Sequence, residues 1–387
     1  MADRRERRPV AAGHTPRSRS LRQDRTDGRA GSRPRRDRRN CRDGVDRRTC
    51  AGPGAEPAMS TVAVIFTGGT ISMRRDPVLG GNVPSLDGAA ILAQTPGVDA
   101  IAEVRAIDFG RTPASHFSFD GLFEIGATIR SAQADPTIDG VVVVQGTDVL
   151  EETAFLWDLI LDGATPVVVT GAMRSASEPE YDGPENLRNA IRAAASAHFR
   201  GAGVVVCMAG SIHAADDVTK THASRLDTFQ SLNDGPLAVI DDGAIRVVRR
   251  RGPRRTVRTA TAAEPVRLVT AHVAMDGSII GALATVGVAG LVVEATGAGN
   301  TSAALLDAAR RLIDTGVPVV LATRCAAGAA GTGYAFPGGG ATWVRAGALL
   351  PGTLTGPKAR IALALGLGAG LDHAGLAGLL RGPDPEA

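Results

Sequence analysis

Beyond Met59 the chain alternates short, unbroken apolar runs with longer stretches whose apolar residues recur at helical spacing. The runs 62–66, 141–144, 167–170, 204–208, 237–240, 291–293 and 319–322 are mostly β-branched and lack a polar alternate face, the pattern of strands buried on both sides. Between them, 151–161, 186–197 and 303–313 predict helices. Such alternation predicts an α/β fold with a largely parallel sheet. Around 247–255 the apolar pattern lapses for about twenty residues, which divides the chain into a larger domain over 59–245, a linker over 246–265 and a smaller domain over 266–387. No internal repeat is visible.

Charge separates off a further segment. Residues 1–58 hold 17 arginines against eight acidic residues, whereas the rest of the chain holds 26 basic against 32 acidic. The leading segment has almost no apolar periodicity and is expected to be disordered, or to reflect a start codon placed too early ahead of Met59. An arginine tail can bind phosphate backbones, so any nucleic-acid contact is assigned to it alone. Across the whole chain, 3% aromatic residues are too few for base-stacking platforms. No apolar run reaches the ~18 residues of a membrane span and the first residues are charged, so no membrane partner and a cytoplasmic location are expected. The cysteines, Cys41, Cys50, Cys207 and Cys325, form no Cys-x-x-Cys pair. Neither a disulfide framework nor a metal site is suggested, and Cys207 and Cys325 read as buried thiols.

In a parallel sheet chemistry gathers at the carboxyl ends of strands. Run 62–66 leads into Thr67-Gly68-Gly69-Thr70, where the glycines let backbone N–H groups approach a ligand and the hydroxyls offer a nucleophile. Run 141–144 leads into Gln145-Gly146-Thr147-Asp148, and Asp148 with Glu151 has the spacing of a capped helix start. Run 167–170 leads into Gly171-Ala172-Met173-Arg174 and on to Asp182-Gly183-Pro184-Glu185-Asn186. Of the 43 basic residues only Lys220 and Lys358 are lysines, and a lysine, unlike an arginine, can give up its proton and serve as a base. Taken singly, each of these is equally a turn, a capped helix, a plain connection or a solvated lysine. No nucleotide-binding glycine loop is present, and no cofactor is implied.

Taken together, these residues resemble the bacterial-type L-asparaginase family over 59–367. The first signature is similar to Val64-Ile65-Phe66-Thr67-Gly68-Gly69-Thr70-Ile71, and the second to Gln145-Gly146-Thr147-Asp148-Val149-Leu150-Glu151-Glu152-Thr153-Ala154, with Gln145 where many members have histidine. Asp217-Val218-Thr219-Lys220-Thr221 and Lys358-Ala359-Arg360 match further motifs in order. The resemblance implies a mostly parallel Rossmann/flavodoxin-like sheet with helices on both faces, plus a smaller C-terminal α/β domain. It implies hydrolysis of L-asparagine to aspartate and ammonia without cofactor or metal, with Thr70 as nucleophile and Thr147, Asp148 and Lys220 as the proton-transfer set. Gly69, Ser115, Gly146, Ala172 and Asn300 match substrate-side positions, and a homodimer or homotetramer is expected, with Asn300 crossing to a partner's site. Two family features are missing: a tyrosine in 72–82, the chain's only tyrosines being Tyr181 and Tyr334, and an acidic residue anywhere between Asp314 and Asp372. The alternatives are a glutaminase-like enzyme, the amidase component of a tRNA-dependent amidotransferase, and a catalytically weak ligand-sensing or RNA-binding protein.

Overall fold

The computed structural model describes residues 59–383; the arginine-rich segment lies outside them. Fifteen strands occur among the described residues: β1 Thr61–Phe66, β2 Met73–Arg75, β3 Asn82–Pro84, β4 Glu103–Asp108, β5 Gly140–Val144, β6 Val167–Thr170, β7 Val204–Met208, β8 Ser211–Ala214, β9 Val218–Lys220, β10 Phe229–Ser231, β11 Ala238–Asp241, β12 Ala244–Val247, β13 Val266–Thr270, β14 Gly290–Ala295 and β15 Val319–Thr323. The helices are α1 Gly88–Ala93, α2 Phe119–Ala134, α3 Leu150–Ile160, α4 Gly183–Ala194, α5 Ser278–Val286, α6 Ala303–Asp314, α7 Gly340–Arg345, α8 Gly356–Gly368 and α9 His373–Arg381.

The large sheet has the order β12-β11-β8-β7-β6-β5-β1-β4. Strands β4, β1, β5, β6 and β7 are parallel, and β8, β11 and β12 extend them antiparallel. Run 237–240, expected to be buried on both faces, is β11, half-buried and paired with the exposed β12 near the sheet edge. Successive residues of each parallel strand feed opposite cores. Ala63, Ile65, Val141 and Val143 pack with Ile125 of α2 and Trp157 of α3, while Val62, Val64, Val142 and Val168 pack with Leu187 and Ile191 of α4. The large domain is therefore a doubly wound, mostly parallel sheet. Its β1 lies between β4 and β5, at the point where the winding reverses and where sheets of this kind bind ligands at their strand ends.

A smaller parallel sheet, β13-β14-β15, forms the C-terminal domain. Leu291, Val293 and Leu321 on one face pack with Ile280 of α5 and Leu305 and Ala309 of α6. Val292 and Val320 on the other face join Ile361 and Leu365 of α8 in the same cluster as Trp157 and Leu159, so α3 and α8 share one core. The connecting stretch after β12 has no regular element before β13 but is firmly held. Arg251 is bidentate to Asp158 of α3 at 2.7 and 2.9 Å and also reaches Asp216 at 2.8 Å; Asp158 is 2% and Arg251 7% exposed. Cys207 is buried, which pushes its thiol up to about 12, but Cys325 is exposed: β15 ends at Thr323, whose hydroxyl accepts the Cys325 N–H as the chain turns outward. That corrects the expectation of two buried thiols.

Candidate active site

The turns that follow the central parallel strands are bonded one to the next. Thr67 donates its N–H and hydroxyl to Val144 O at 2.9 and 3.0 Å, Gln145 N–H donates to Thr170 O at 3.0 Å, and the Thr170 hydroxyl donates to Cys207 O at 2.8 Å. Gly69, at φ 92°, is pressed against the next turn, since a Cβ there would lie 2.2 Å from Gly146 N. This contact brings the segment carrying Thr70 against the segment carrying Thr147. Gly171 packs on the other side, where an added Cβ would lie 3.2 Å from the Thr147 methyl. Ala114, in a short helical turn beside Ser115, abuts Gly146 from above the first two turns.

Lys220 enters from β9. Its Nζ lies 2.9 Å from Thr147 Oγ1 and 3.7 Å from Asp148 Oδ1. Thr147 is 5% exposed and the Lys220 side chain 15%, whereas Asp148 is 69% exposed and faces open solvent. Helix α3 starts from Val149 without a side-chain cap, which corrects the expected Asp148–Glu151 capping pair. Glu151 instead turns its Oε1 toward the Lys220 N–H, 3.4 Å away. Burial pushes the Glu151 carboxyl up, and the charge of Lys358 is the strongest influence drawing it back. Behind the cluster Gln145 is fully buried, donates to Thr153 Oγ1 at 2.5 Å and leaves its Oε1 without a partner among the described residues.

Thr70 starts a single 3-10 turn, Thr70–Ser72, that closes as Ser72 returns its N–H and hydroxyl to Gly69 O at 2.9 and 2.7 Å. The next residues form the β2–β3 hairpin, pinned to the loop after β6 by Ala176 N–H to Met73 O and Arg75 N–H to Ser177 Oγ. Although the hairpin has no tyrosine, one arrives from elsewhere in the chain. The Tyr181 phenol donates to Ile71 O at 2.7 Å, and burial, with Asp182 adding to it, pushes its ionisation upward. Asp182 accepts the Met173 and Arg174 N–H groups and the Asn186 side-chain amide, and Asn186 in turn donates to Gly171 O. This network fixes the turn holding the buried Ala172. Asp182 and Asn186 are visible in the sequence at a helix start, but nothing in their spacing marks them as organisers of that turn.

Thr147, Asp148 and Lys220 thus come together, with Gly69, Gly146 and Ala172 on adjoining turns and Thr70 next to Gly69. Ser115 is exposed at the edge of the same group. Asn300 is elsewhere. It ends a tight turn in the small domain, where Thr296 N–H and hydroxyl both bond its carbonyl, and its Oδ1 is buried without a partner among the described residues. No described group of His, Cys, Asp or Glu residues is placed to hold a metal ion.

Residues 61–252 match the family described as Asparaginase, N-terminal, and residues 265–380 match Glutaminase/Asparaginase C-terminal domain. The chain belongs to the asparaginase family. Asparaginase relatives include the "Probable L-asparaginase" of Deinococcus radiodurans, 36% identical over 81% of this chain and 94% of that protein. A glutamyl-tRNA(Gln) amidotransferase component of Halobacterium salinarum is 31% identical over 76% of this chain and 73% of that one. A crystal structure of the "Probable Cytoplasmic L-asparaginase" of Campylobacter jejuni superposes with a TM-score of 0.74 at 26% identity, covering 83% of this chain and 99% of the other. The asparaginase fold is accordingly the fold of this chain.

Proposed function

We propose that this asparaginase-family amidohydrolase cleaves the side-chain amide of L-asparagine. Thr70 Oγ attacks the amide carbon, the C–N bond breaks, and ammonia leaves with a proton delivered through Thr147 and Lys220. Water then cleaves the ester, and the proton it loses travels back along the same pair. A threonine hydroxyl is a weak nucleophile until a base relieves it of its proton, and a lysine beside a carboxylate and a hydroxyl is suited to that exchange. Backbone N–H groups of the glycine turns would face the oxyanion. Asp148, exposed at the mouth, would attract the substrate's ammonium, and Ser115 its carboxylate. The observation that carries the reading is the 2.9 Å approach of Lys220 Nζ to Thr147 Oγ1 at the strand end against which Gly69 presses the Thr70 turn.

The alternative amidase role within a tRNA-dependent amidotransferase draws support from the Halobacterium relative. Ammonia release from a panel of L-asparagine, D-asparagine, L-glutamine and small amides, with and without glutamyl-tRNA, separates the two. Fastest release from L-asparagine, unaffected by tRNA, is expected; no release from any amide defeats both. We further place the enzyme in the cytoplasm as a dimer or tetramer in which Asn300 serves a neighbouring copy's site, since among the described residues no hydrogen bond ties it to the Thr147 cluster. A fully active monomer by light scattering would overturn that assembly. No helix among the described residues is long and apolar enough to cross a membrane.

A further inference from the structure

We propose that Lys358, in the first turn of α8, is a positioning residue for this hydrolysis: from the small domain it holds the strand that presents Lys220 and the helix that starts behind Asp148. The inference rests on the proposed role of Lys220. Lys358 is fully buried, and its Nζ donates to Asp216 O at 3.1 Å and, closely, to Val218 O. Val218 begins β9, and Lys220 ends it. Asp216 belongs to the turn just before that strand and is itself gripped by Arg251. The chain's other lysine therefore ties down the backbone that aims the first.

A second route reaches the same place. Lys358 lies in the field of Glu151, whose carboxylate faces the Lys220 N–H, and two residues on, Arg360 reaches Glu152 at 3.7 Å while stacking over Phe119. The two basic residues of α8 are thus matched to the two adjacent glutamates that open α3, three and four residues after Asp148. A compact ammonium with three donors suits two carbonyls converging at one corner, whereas the fixed, planar fork of a guanidinium is built for a different geometry. Burial lowers Lys358 to about 8 despite the attraction of Glu151, Asp216 and Asp217, with Arg251 opposing; Glu294 of β14 also borders this turn at Gly356. An apolar residue would avoid that cost, so what the lysine holds accounts for its presence. Loss of the clamp would leave two carbonyls unpaired and let β9 shift, and displacements well under 1 Å are costly in a proton-transfer pair.

The test is a double-substitution cycle on the full chain with L-asparagine as substrate. Lys358→Met should lower kcat about 10–10²-fold with KM changed less than about 3-fold, yet cost less than about 2-fold when added to Lys220→Met, because it acts through Lys220. Equal losses in both backgrounds would mark Lys358 as a general support of the fold and overturn the proposal. Glu151→Gln, nearly isosteric, should lower kcat about 3–10-fold with the same coupling, and it decides the matter if Lys358→Met does not fold. Wild-type kcat in Glu151→Gln or in folded Lys358→Met also overturns the proposal. Undiminished activity in Lys220→Met alone would instead defeat the functional reading beneath it.

Discussion

Two neighbouring turns, one after β1 and one after β5, carry almost the same letters, Gly-Gly-Thr and Gly-Thr-Asp, yet the fold treats their threonines differently. Thr147 is nearly buried, and its hydroxyl is held by a lysine that comes from a separate small sheet and is backed by a glutamate. Thr70 stands on a single helical turn at the base of a hairpin, partly open to solvent. The strand ends bring the two together through the Gly69–Gly146 contact, but β9 sets a lysine against Thr147. On the proposed reading, Thr147 moves protons and Thr70 attacks.

Breaking the open half should cost most. Thr70→Ala should reduce turnover at least ~10⁴-fold while the melting temperature and substrate binding stay close to those of the wild type, since the lost hydroxyl acts in the transition state; steady-state kinetics beside calorimetry checks this. Breaking the held half comes next. Lys220→Met should cost ~10²–10⁴-fold in kcat, and Lys220→Arg should not restore it, because a guanidinium keeps its charge but cannot surrender a proton. Full activity in the arginine variant would reduce Lys220 to a source of positive potential.

Forcing the turns apart is milder. Gly69→Ala places a Cβ 2.2 Å from Gly146 N at a positive φ, so stability should fall by ~1–3 kcal/mol and kcat more than ~10-fold. The last effect is on stability alone. His213, behind β10, meets Ser231 Oγ at 3.0 Å, and burial lowers its ring from 6.5 to about 4. The unfolded chain takes up that proton first, so as pH falls from ~6.5 toward 4 the protein should lose up to ~3 kcal/mol. Denaturant titrations at the two pH values should show the loss flattened in His213→Gln.

Most of the central sheet was legible because β1, β5, β6 and β7 are buried on both faces and so lack any polar alternation. Strand β4 was not, because it is a charged edge strand, and α8 was not, because its Ala, Leu and Gly positions are buried nearly all round and show no amphipathic stripe. Thr147, Asp148 and Lys220 were singled out by the resemblance of their motifs to the family's, and the fold brings the three side by side. The contacts of Glu151, Tyr181 and Lys358 were not legible, because each reaches a segment far away in sequence, and Glu151 in particular mimics a helix cap. The arginines after β12 read as a plain linker for a similar reason: their carboxylate partners, Asp158 and Asp216, lie far upstream of Arg251, the first of them by 93 residues.

The inequality of the two threonines is tested most directly by trapping the covalent intermediate. After rapid acid quench of the wild type with L-asparagine, intact-mass analysis and peptide mapping should place an aspartyl ester on Thr70, with none in Thr70→Ala. An adduct mapping to Thr147 instead, or its persistence in Thr70→Ala, would contradict the assignment.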